Sequence, residues 1–208
     1  MALKRPADAT SSYAAAVKLQ PGWSQPYRGQ AVAFIAAGQR DRGMEALKSG
    51  LAQTGGSSDL AADLATLYLA DNRIDDAIAV YDGVLERDPN NLAALNNLAM
   101  LLVTHRTDAA SLERAEKLVT PLAKTDNPAF LDTYGWVLYK RGRHTDAIPF
   151  LQKAFAKAPQ AQELRYHLGM AQLKSGRTAD ARKNLEAAVK GDQVYPGKDE
   201  AKAALAAM

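Results

Sequence analysis

The chain has 208 residues, no cysteine and a formal net charge of +3. The absence of thiols excludes disulfide bonds and cysteine-ligated metal sites, and so small a net charge does not indicate a protein that binds nucleic acid. No run of about 18 apolar residues occurs, so the sequence predicts no membrane-spanning helix. Length alone allows one or two globular domains.

The chain begins with what we interpret as half of a helical repeat, residues 1–23. Ala9, Tyr13, Ala16 and Val17 fit the second helix of such a repeat, but no first helix precedes them. A half repeat at the start of an array exposes an apolar face, so we expect this chain to be the C-terminal piece of a longer array. The start lacks the apolar core of a signal peptide, although a targeting segment could lie further upstream.

Five segments of nearly constant length follow the half repeat, at 24–57, 58–91, 92–127, 128–161 and 162–195. One slot holds a small residue in every segment, at Ala31, Ala65, Ala99, Gly135 and Gly169. Small residues at a fixed position allow two helices to approach closely where they cross. The slot therefore predicts the same helix crossing five times along the chain.

A second small slot follows twelve residues after the first, at Gly43, Ala77, Ala147 and Ala181. The third segment reaches this slot at Ala115 only with a four-residue insertion, which we assign to a longer loop over His105–Ser111. A period of this length predicts an array of helical pairs, in which each pair buries its apolar face against its neighbours. We expect one such array over residues 1–208, closed by a capping helix at 196–208.

The fourth segment shows the start and stop signals of its two helices. Asn127 can cap the first helix, and Pro128 fits its first turn, where the missing N–H is not needed. Gly142 fits the left-handed residue that ends this helix. Asp146 supplies negative charge near the start of the second helix, and Pro159 marks its end.

The same segment carries the clearest resemblance to a known family. It contains the run Tyr134-Gly135-Trp136-Val137-Leu138-Tyr139, followed by Gly142, Ala147, Leu151, Ala154 and Pro159. This pattern resembles the tetratricopeptide repeat family, and its slots recur in the other four segments. The resemblance implies an all-α, right-handed superhelical solenoid of helix-turn-helix repeats that acts as a scaffold for protein partners.

Catalytic and metal-binding motifs are not apparent. The three histidines, His105, His144 and His167, do not fall into a recognised metal-ligand spacing, and we place His105 and His144 on the solvated surface. The glycine-rich run Thr54–Ser58 lacks the lysine of a phosphate-binding loop. We therefore predict a protein that is not an enzyme and that needs no metal or cofactor.

The first helices of such an array line its concave face, where we predict a partner-binding groove. The predicted groove residues are Asn96, Met100, Asp132, Trp136, Tyr139, Tyr166, Met170 and Leu173. Tryptophan and tyrosine are frequent interface anchors, and methionine adapts to irregular partners. The alternative is that the capping helix or a tight superhelix covers these side chains internally.

Other positions are assigned by the same register. The first segment offers Arg28, Val32 and Ile35 to the concave face, and the second offers Thr66 and Leu69. By contrast, packing slots between helices are held by Tyr134, Leu138, Leu151 and Phe155, which we expect in the core together with Tyr68 and Tyr81.

We expect the groove to hold a protein or peptide ligand. Two alternatives remain: a self-association module that forms a homo-oligomer, and a repeat protein that binds carbohydrate through Trp136, Tyr139 and Tyr166. Charge is uneven, with a net of −6 over residues 58–91 and +6 over residues 128–191. Such a polarity can orient a partner or favour head-to-tail contacts between copies.

Two short stretches of sequence suggest a biological setting. The stretches Asn127–Tyr139 and Tyr195–Ala201 resemble the C-terminal repeats of bacterial envelope tetratricopeptide proteins, in particular those of exopolysaccharide and exosortase (PEP-CTERM) systems. The resemblance implies a periplasmic or envelope-associated assembly factor.

Overall fold

The chain forms helical pairs along residues 6–190 and 193–208, which the computed structural model describes. This part contains twelve α-helices and no strand: α1 Pro6–Leu19, α2 Ser24–Ala36, α3 Arg40–Gln53, α4 Ser58–Ala70, α5 Ile74–Arg87, α6 Leu92–His105, α7 Ala109–Val119, α8 Pro128–Lys140, α9 His144–Lys157, α10 Gln162–Lys174, α11 Thr178–Val189 and α12 Lys198–Ala206. A short 3-10 helix, Thr120–Lys124, follows α7. The predicted all-α fold is confirmed. The first residues of the predicted half repeat and residues 191–192 of the fifth segment lie outside the described part.

The first helix of four segments ends on a residue in the left-handed region. These residues are Gly38, Asn72, Gly142 and Gly176, with φ between +57° and +84°. The N–H of the following residue donates back to a carbonyl five residues earlier, as from Arg143 to Leu138 at 2.9 Å. This bond satisfies a carbonyl that the helix end leaves free. The turn predicted at Gly142 is therefore confirmed, as is the cap by Asn127, whose side-chain oxygen accepts from the N–H of Ala129.

The small slots lie where the two helices of a pair cross. Ala31, Ala65 and Ala99 are buried, and so are all four alanines of the second slot. A Cβ placed on Gly135 would come within 2.7 Å of Cγ of Leu151, and one on Gly169 within 2.8 Å of Leu185. The helices therefore approach so closely that the fourth and fifth pairs have no space for even a methyl group.

The third segment differs from the predicted arrangement. His105 ends α6 and Ala109 begins α7, so the connection has three residues instead of a loop over His105–Ser111. The Asp108 side chain caps α7 by accepting from the N–H of Ser111 at 2.9 Å. The inserted residues therefore extend the helices at this turn, because an added turn satisfies its own backbone hydrogen bonds and a long loop does not.

The chain divides into two compact units, with the boundary between Leu98 and Ala99 inside α6. In unit 1, α1 to α5 pack on one another in chain order, and α2 also contacts α4. In unit 2, α7 to α11 pack in the same sequential manner, and α12 contacts both α10 and α11. The expectation of one array over residues 1–208 stays a prediction.

The predicted core residues are confirmed in part. Leu138 and Leu151 are buried, as are Tyr68 and Tyr81 in unit 1. Tyr134 and Phe155, which we placed in the core, are only half-buried. The Tyr134 ring lies edge-on against Phe150, and the guanidinium of Arg165 covers Phe155 at 4.7 Å. Each ring is thus covered on one side by a neighbouring side chain, while part of it remains in solvent.

We expect Gly135→Ala to lower the free energy of unfolding by about 1–3 kcal/mol, because the new methyl group would overpack against Leu151. The matched control is Gly83→Ala in α5, where an added Cβ meets no atom within 4 Å. Alanine there should stabilise the helix by up to about 1 kcal/mol. Urea denaturation of both variants measures the difference, and equal effects would contradict the proposed close crossing.

Candidate functional site

The first helices of neighbouring pairs are joined by polar side chains at one repeated position. Arg28 of α2 donates to Asp63 of α4 at 2.6 and 3.1 Å, across 35 residues of sequence. In unit 2, Nδ1 of His167 on α10 lies 2.9 Å from both carboxylate oxygens of Asp132 on α8, also 35 residues away. We call these contacts inter-repeat joints, since each connects one pair to the next.

The two joints lie in different environments. The side chains of Arg28 and Asp63 are 47% and 30% exposed, whereas those of His167 and Asp132 are 3% and 8% exposed. A pair in solvent contributes little to stability, while the loss of one partner from a buried pair leaves an uncompensated polar group. The unit 2 joint is therefore the one on which packing depends.

An aromatic cluster surrounds the Asp132–His167 joint. The ring of Trp136 stacks on His167 at 3.9 Å between centroids and on Tyr139 at 4.5 Å, with interplanar angles of 19° and 7°. Tyr166 lies 5.6 Å from Trp136 in a tilted arrangement. Trp136 is only 5% exposed, so its ring contacts are mainly with the protein itself.

The turn before α12, and α12 itself, cover part of this cluster. The hydroxyl of Tyr166 donates to the Glu200 carboxylate at 2.7 Å, and the Tyr195 ring lies 5.7 Å from that of Tyr166. Gly197 has φ of +90° and lies so close to Tyr166 that a Cβ would overlap the ring. Glycine is therefore required at this position both by backbone conformation and by space.

A cavity of about 190 Å³ remains beside the cluster, lined by Met100, Trp136, Glu163, His167 and Glu200 among others. Burial raises the pKa of the Glu163 carboxyl and raises the pKa of Tyr139 to about 12. Burial also raises the pKa of Tyr166, and the hydrogen bond to Glu200 adds to that effect. Both tyrosines are neutral at physiological pH, as an unshifted tyrosine already is; they act as packing groups, and Tyr166 also donates a hydrogen bond.

The eight predicted groove residues fall into two sets. The structure buries Asp132, Trp136, Tyr139, Tyr166 and Met170, and it leaves Asn96, Met100 and Leu173 half-buried. Asn96 belongs to unit 1 and the other seven to unit 2. This burial agrees with the covered alternative for the aromatic side chains, and their role in partner binding stays a prediction.

The histidines are placed differently from one another. His105 is exposed, as expected, whereas His144 is half-buried and its ring lies 5.2 Å from Tyr139. His167 was assigned no role from the sequence. Asp132 and His167 are 35 residues apart, as are Arg28 and Asp63, and each pair combines an acidic with a basic side chain. A comparison of these two positions across the repeats would have revealed the joint. Among the described residues, no group of three histidine or acidic side chains could hold a metal ion.

Unit 1 contains an open groove on the same first-helix face. It is lined by Ala31, Val32, Ile35, Leu47, Thr66 and Leu67, with the Arg28–Asp63 joint at its edge, and its cavity measures about 240 Å³. We call this surface the unit 1 groove. Ala31 and Leu47 form a buried floor, while Val32 is 54% exposed.

A second cavity adjoins the unit 1 groove. Arg28 and Val32 line it as well, together with Tyr13 and Trp23, and its volume is about 670 Å³. Trp23 is 51% exposed. Large apolar side chains exposed side by side are uncommon away from interaction sites. The register assigned Arg28, Val32 and Ile35 to the concave face, but the predicted groove did not include them.

None of the helices in the described ranges combines the length and apolar character needed to cross a membrane.

The family model described as "Tetratricopeptide repeat" matches residues 34–101 and 138–208. These two ranges make up more than half of the chain, so the chain belongs to the tetratricopeptide repeat family. Membership indicates a scaffold for protein–protein interaction.

A curated relative and two solved structures illustrate the similarity. The TPR repeat-containing protein PA4667 of Pseudomonas aeruginosa is 33% identical over 159 residues, which is 72% of this chain and 25% of that protein. The chain thus spans about a quarter of the length of this relative. The crystal structure of YrrB, a TPR protein with an unusual peptide-binding site, has a TM-score of 0.62 at 14% identity, over 94% of this chain and all of YrrB.

The second structure is that of PilW, a widely conserved type IV pilus biogenesis factor. It has a TM-score of 0.63 at 15% identity and covers 94% of this chain and 90% of PilW. At these identities, both structural similarities show the fold alone.

We expect Asp132→Ala to reduce the free energy of unfolding by about 1–3 kcal/mol, because it leaves the buried His167 ring without its hydrogen-bond partner. Asp63→Ala removes the equivalent carboxylate from the exposed joint and should cost no more than about 1 kcal/mol. Equilibrium urea unfolding, followed by far-UV circular dichroism, compares the two. A similar loss in both variants would contradict the distinction between the joints.

The two tryptophans provide a second matched pair. Trp136→Ala should destabilise unit 2 by about 3–5 kcal/mol, since it deletes a ring that is 5% exposed. Trp23→Ala, at a side chain that is 51% exposed, should change stability by about 0.5 kcal/mol or less. If Trp136→Ala kept full stability, Trp136 would be available as the interface anchor that the sequence predicted.

Proposed function

We propose that the chain is a non-catalytic scaffold that holds a peptide segment of a partner protein on the face of its first helices. The unit 1 groove is the observation that carries this proposal. It combines a buried apolar floor with an exposed wall at Val32 and opens beside the larger cavity at Trp23. A groove of this form suits an extended or helical segment that inserts apolar side chains.

The unit 2 cluster supports the choice of unit 1 as the binding region. Trp136 already stacks on His167 of its own unit, and Tyr166 packs against Gly197 in the turn before α12. A partner would have to replace these contacts before it could reach the rings. No such replacement is needed at Val32, whose side chain is more than half exposed.

A bacterial envelope setting forms a second part of the proposal. PilW is a type IV pilus biogenesis factor, and the relative PA4667 is from a bacterium. Both are compatible with a role in an assembly system of the cell envelope. The narrower link to an exopolysaccharide assembly system depends on two short stretches of sequence, Asn127–Tyr139 and Tyr195–Ala201, and stays a prediction.

Random peptides displayed on phage provide a direct test. Peptides selected on the wild-type protein are synthesised and titrated against Val32→Asp and Val194→Asp. Both valines are exposed, at 54% and 92%, so both variants should fold normally. We expect Val32→Asp to weaken binding by about tenfold or more, equivalent to about 1.4 kcal/mol, and Val194→Asp to have no effect.

Two results would contradict the proposal. One is a selection that enriches no peptide on the folded wild-type protein. The other is a set of peptides that bind the wild type and Val32→Asp with equal affinity, because their site would then lie outside the unit 1 groove. Circular dichroism of each variant ensures that a loss of binding does not come from unfolding.

A further inference from the structure

We propose that the unit 1 groove selects a partner segment that presents basic side chains beside apolar ones; this inference rests on the proposed function and names the chemistry of its ligand. An apolar floor alone does not distinguish between partners. The charged groups at the edge of the groove can distinguish between partners, because acidic side chains outnumber basic ones there.

The charged side chains at this edge are Arg28 and Asp63, which line the groove, with Asp59 and the Arg40–Asp71 pair beside them. Asp63 accepts both hydrogen bonds from Arg28, so each already has a partner. Asp59 lies four residues earlier in α4, is exposed and makes no hydrogen bond or ion pair within the described part of the chain. The hydrogen bond to Asp63 raises the pKa of the Arg28 guanidinium, and the negative charge of Asp59 adds to this effect. Asp63 and Asp59 therefore both act on Arg28, and the pairs Arg28–Asp63 and Arg40–Asp71 leave the negative charge of Asp59 in excess.

The rest of the second segment adds to the negative charge near the groove. Residues 58–91 contain eight acidic and two basic residues, a net of −6. Asp71 and Asp76 are paired with Arg40 and Arg73, whereas Asp59, on the same helix as Asp63, forms no salt bridge within the described part of the chain. An arginine or lysine of the partner would supply the missing cation.

The Arg28–Asp63 joint does not prevent a basic side chain of the partner from binding at this edge. Both side chains are partly exposed, and an exposed pair of this kind contributes little to folding. A basic partner side chain can share Asp63 with Arg28 or bind Asp59 directly. A partner carboxylate would instead meet two carboxylates and a guanidinium that is already occupied, and such like-charge contacts discriminate strongly between partners.

Three short synthetic peptides of identical apolar sequence test the inference. They carry lysine, glutamine or glutamate at the intervening positions, and fluorescence anisotropy measures their affinities at low and physiological ionic strength. We expect the lysine peptide to bind about tenfold or more tightly than the glutamine peptide, and the glutamate peptide not to bind. The advantage of lysine should shrink as salt screens the charges.

A pair of charge variants locates the effect. Asp59→Asn should weaken the lysine peptide about threefold or more and leave the glutamine peptide unchanged. Glu86→Gln removes the same charge from the same repeat, but on α5 and not on a first helix, so it should have little effect. An equal loss in both variants would show only general attraction to an acidic repeat and would overturn the inference.

The outcomes separate the inference from the proposed function. If the glutamine or glutamate peptide binds as well as the lysine peptide, and Val32→Asp abolishes that binding, the groove is a peptide site without a preference for basic partners. If no peptide binds the folded protein, both proposals fail. Sedimentation of the protein without peptide tests whether a second copy occupies the groove. A dimer that dissociates in the Val32→Asp variant would assign the groove to self-association.

Discussion

Close approach of two helices at a small residue is the constraint on which the rest of the structure depends. At Gly135 and Gly169 the partner helix leaves no space for a methyl group, and elsewhere the slot holds a buried alanine. Once this distance is set, the side chains one turn away can meet across neighbouring pairs. The Arg28–Asp63 joint and the unit 1 groove therefore lie beside the same crossing, since Ala31 of the small slot lines that groove.

Features that depend on one residue at one position could be predicted from the sequence. The small slots and the left-handed turn at Gly142 belong to this class, because few residues satisfy either requirement. The structure of the insertion in the third segment could not be predicted in this way, since extra residues can form either a loop or an additional helical turn. Half-burial of Tyr134 and Phe155 depends on contacts with Phe150 and Arg165 that no local pattern specifies.

The candidate site shows the same division. Periodicity correctly assigned side chains to the first helices, but it could not show which of them another element covers. The cover over Tyr166 comes from Gly197 and Glu200, more than thirty residues later in the chain. Exposure at Val32 reflects its neighbours on other helices in the same way. Accessibility is a property of the tertiary structure, so the sequence named candidate positions and the packing determined which of them are open.

The difference between the two joints has a consequence for how the units respond to their surroundings. Counter-ions reach the Arg28–Asp63 joint because it faces solvent, and ionic strength weakens such a contact. The Asp132–His167 joint is shielded by its own unit, so dissolved ions have little access to it. Salt therefore acts selectively on this chain: it loosens the connection between the first helices that carry the open groove, while the aromatic unit keeps its internal order.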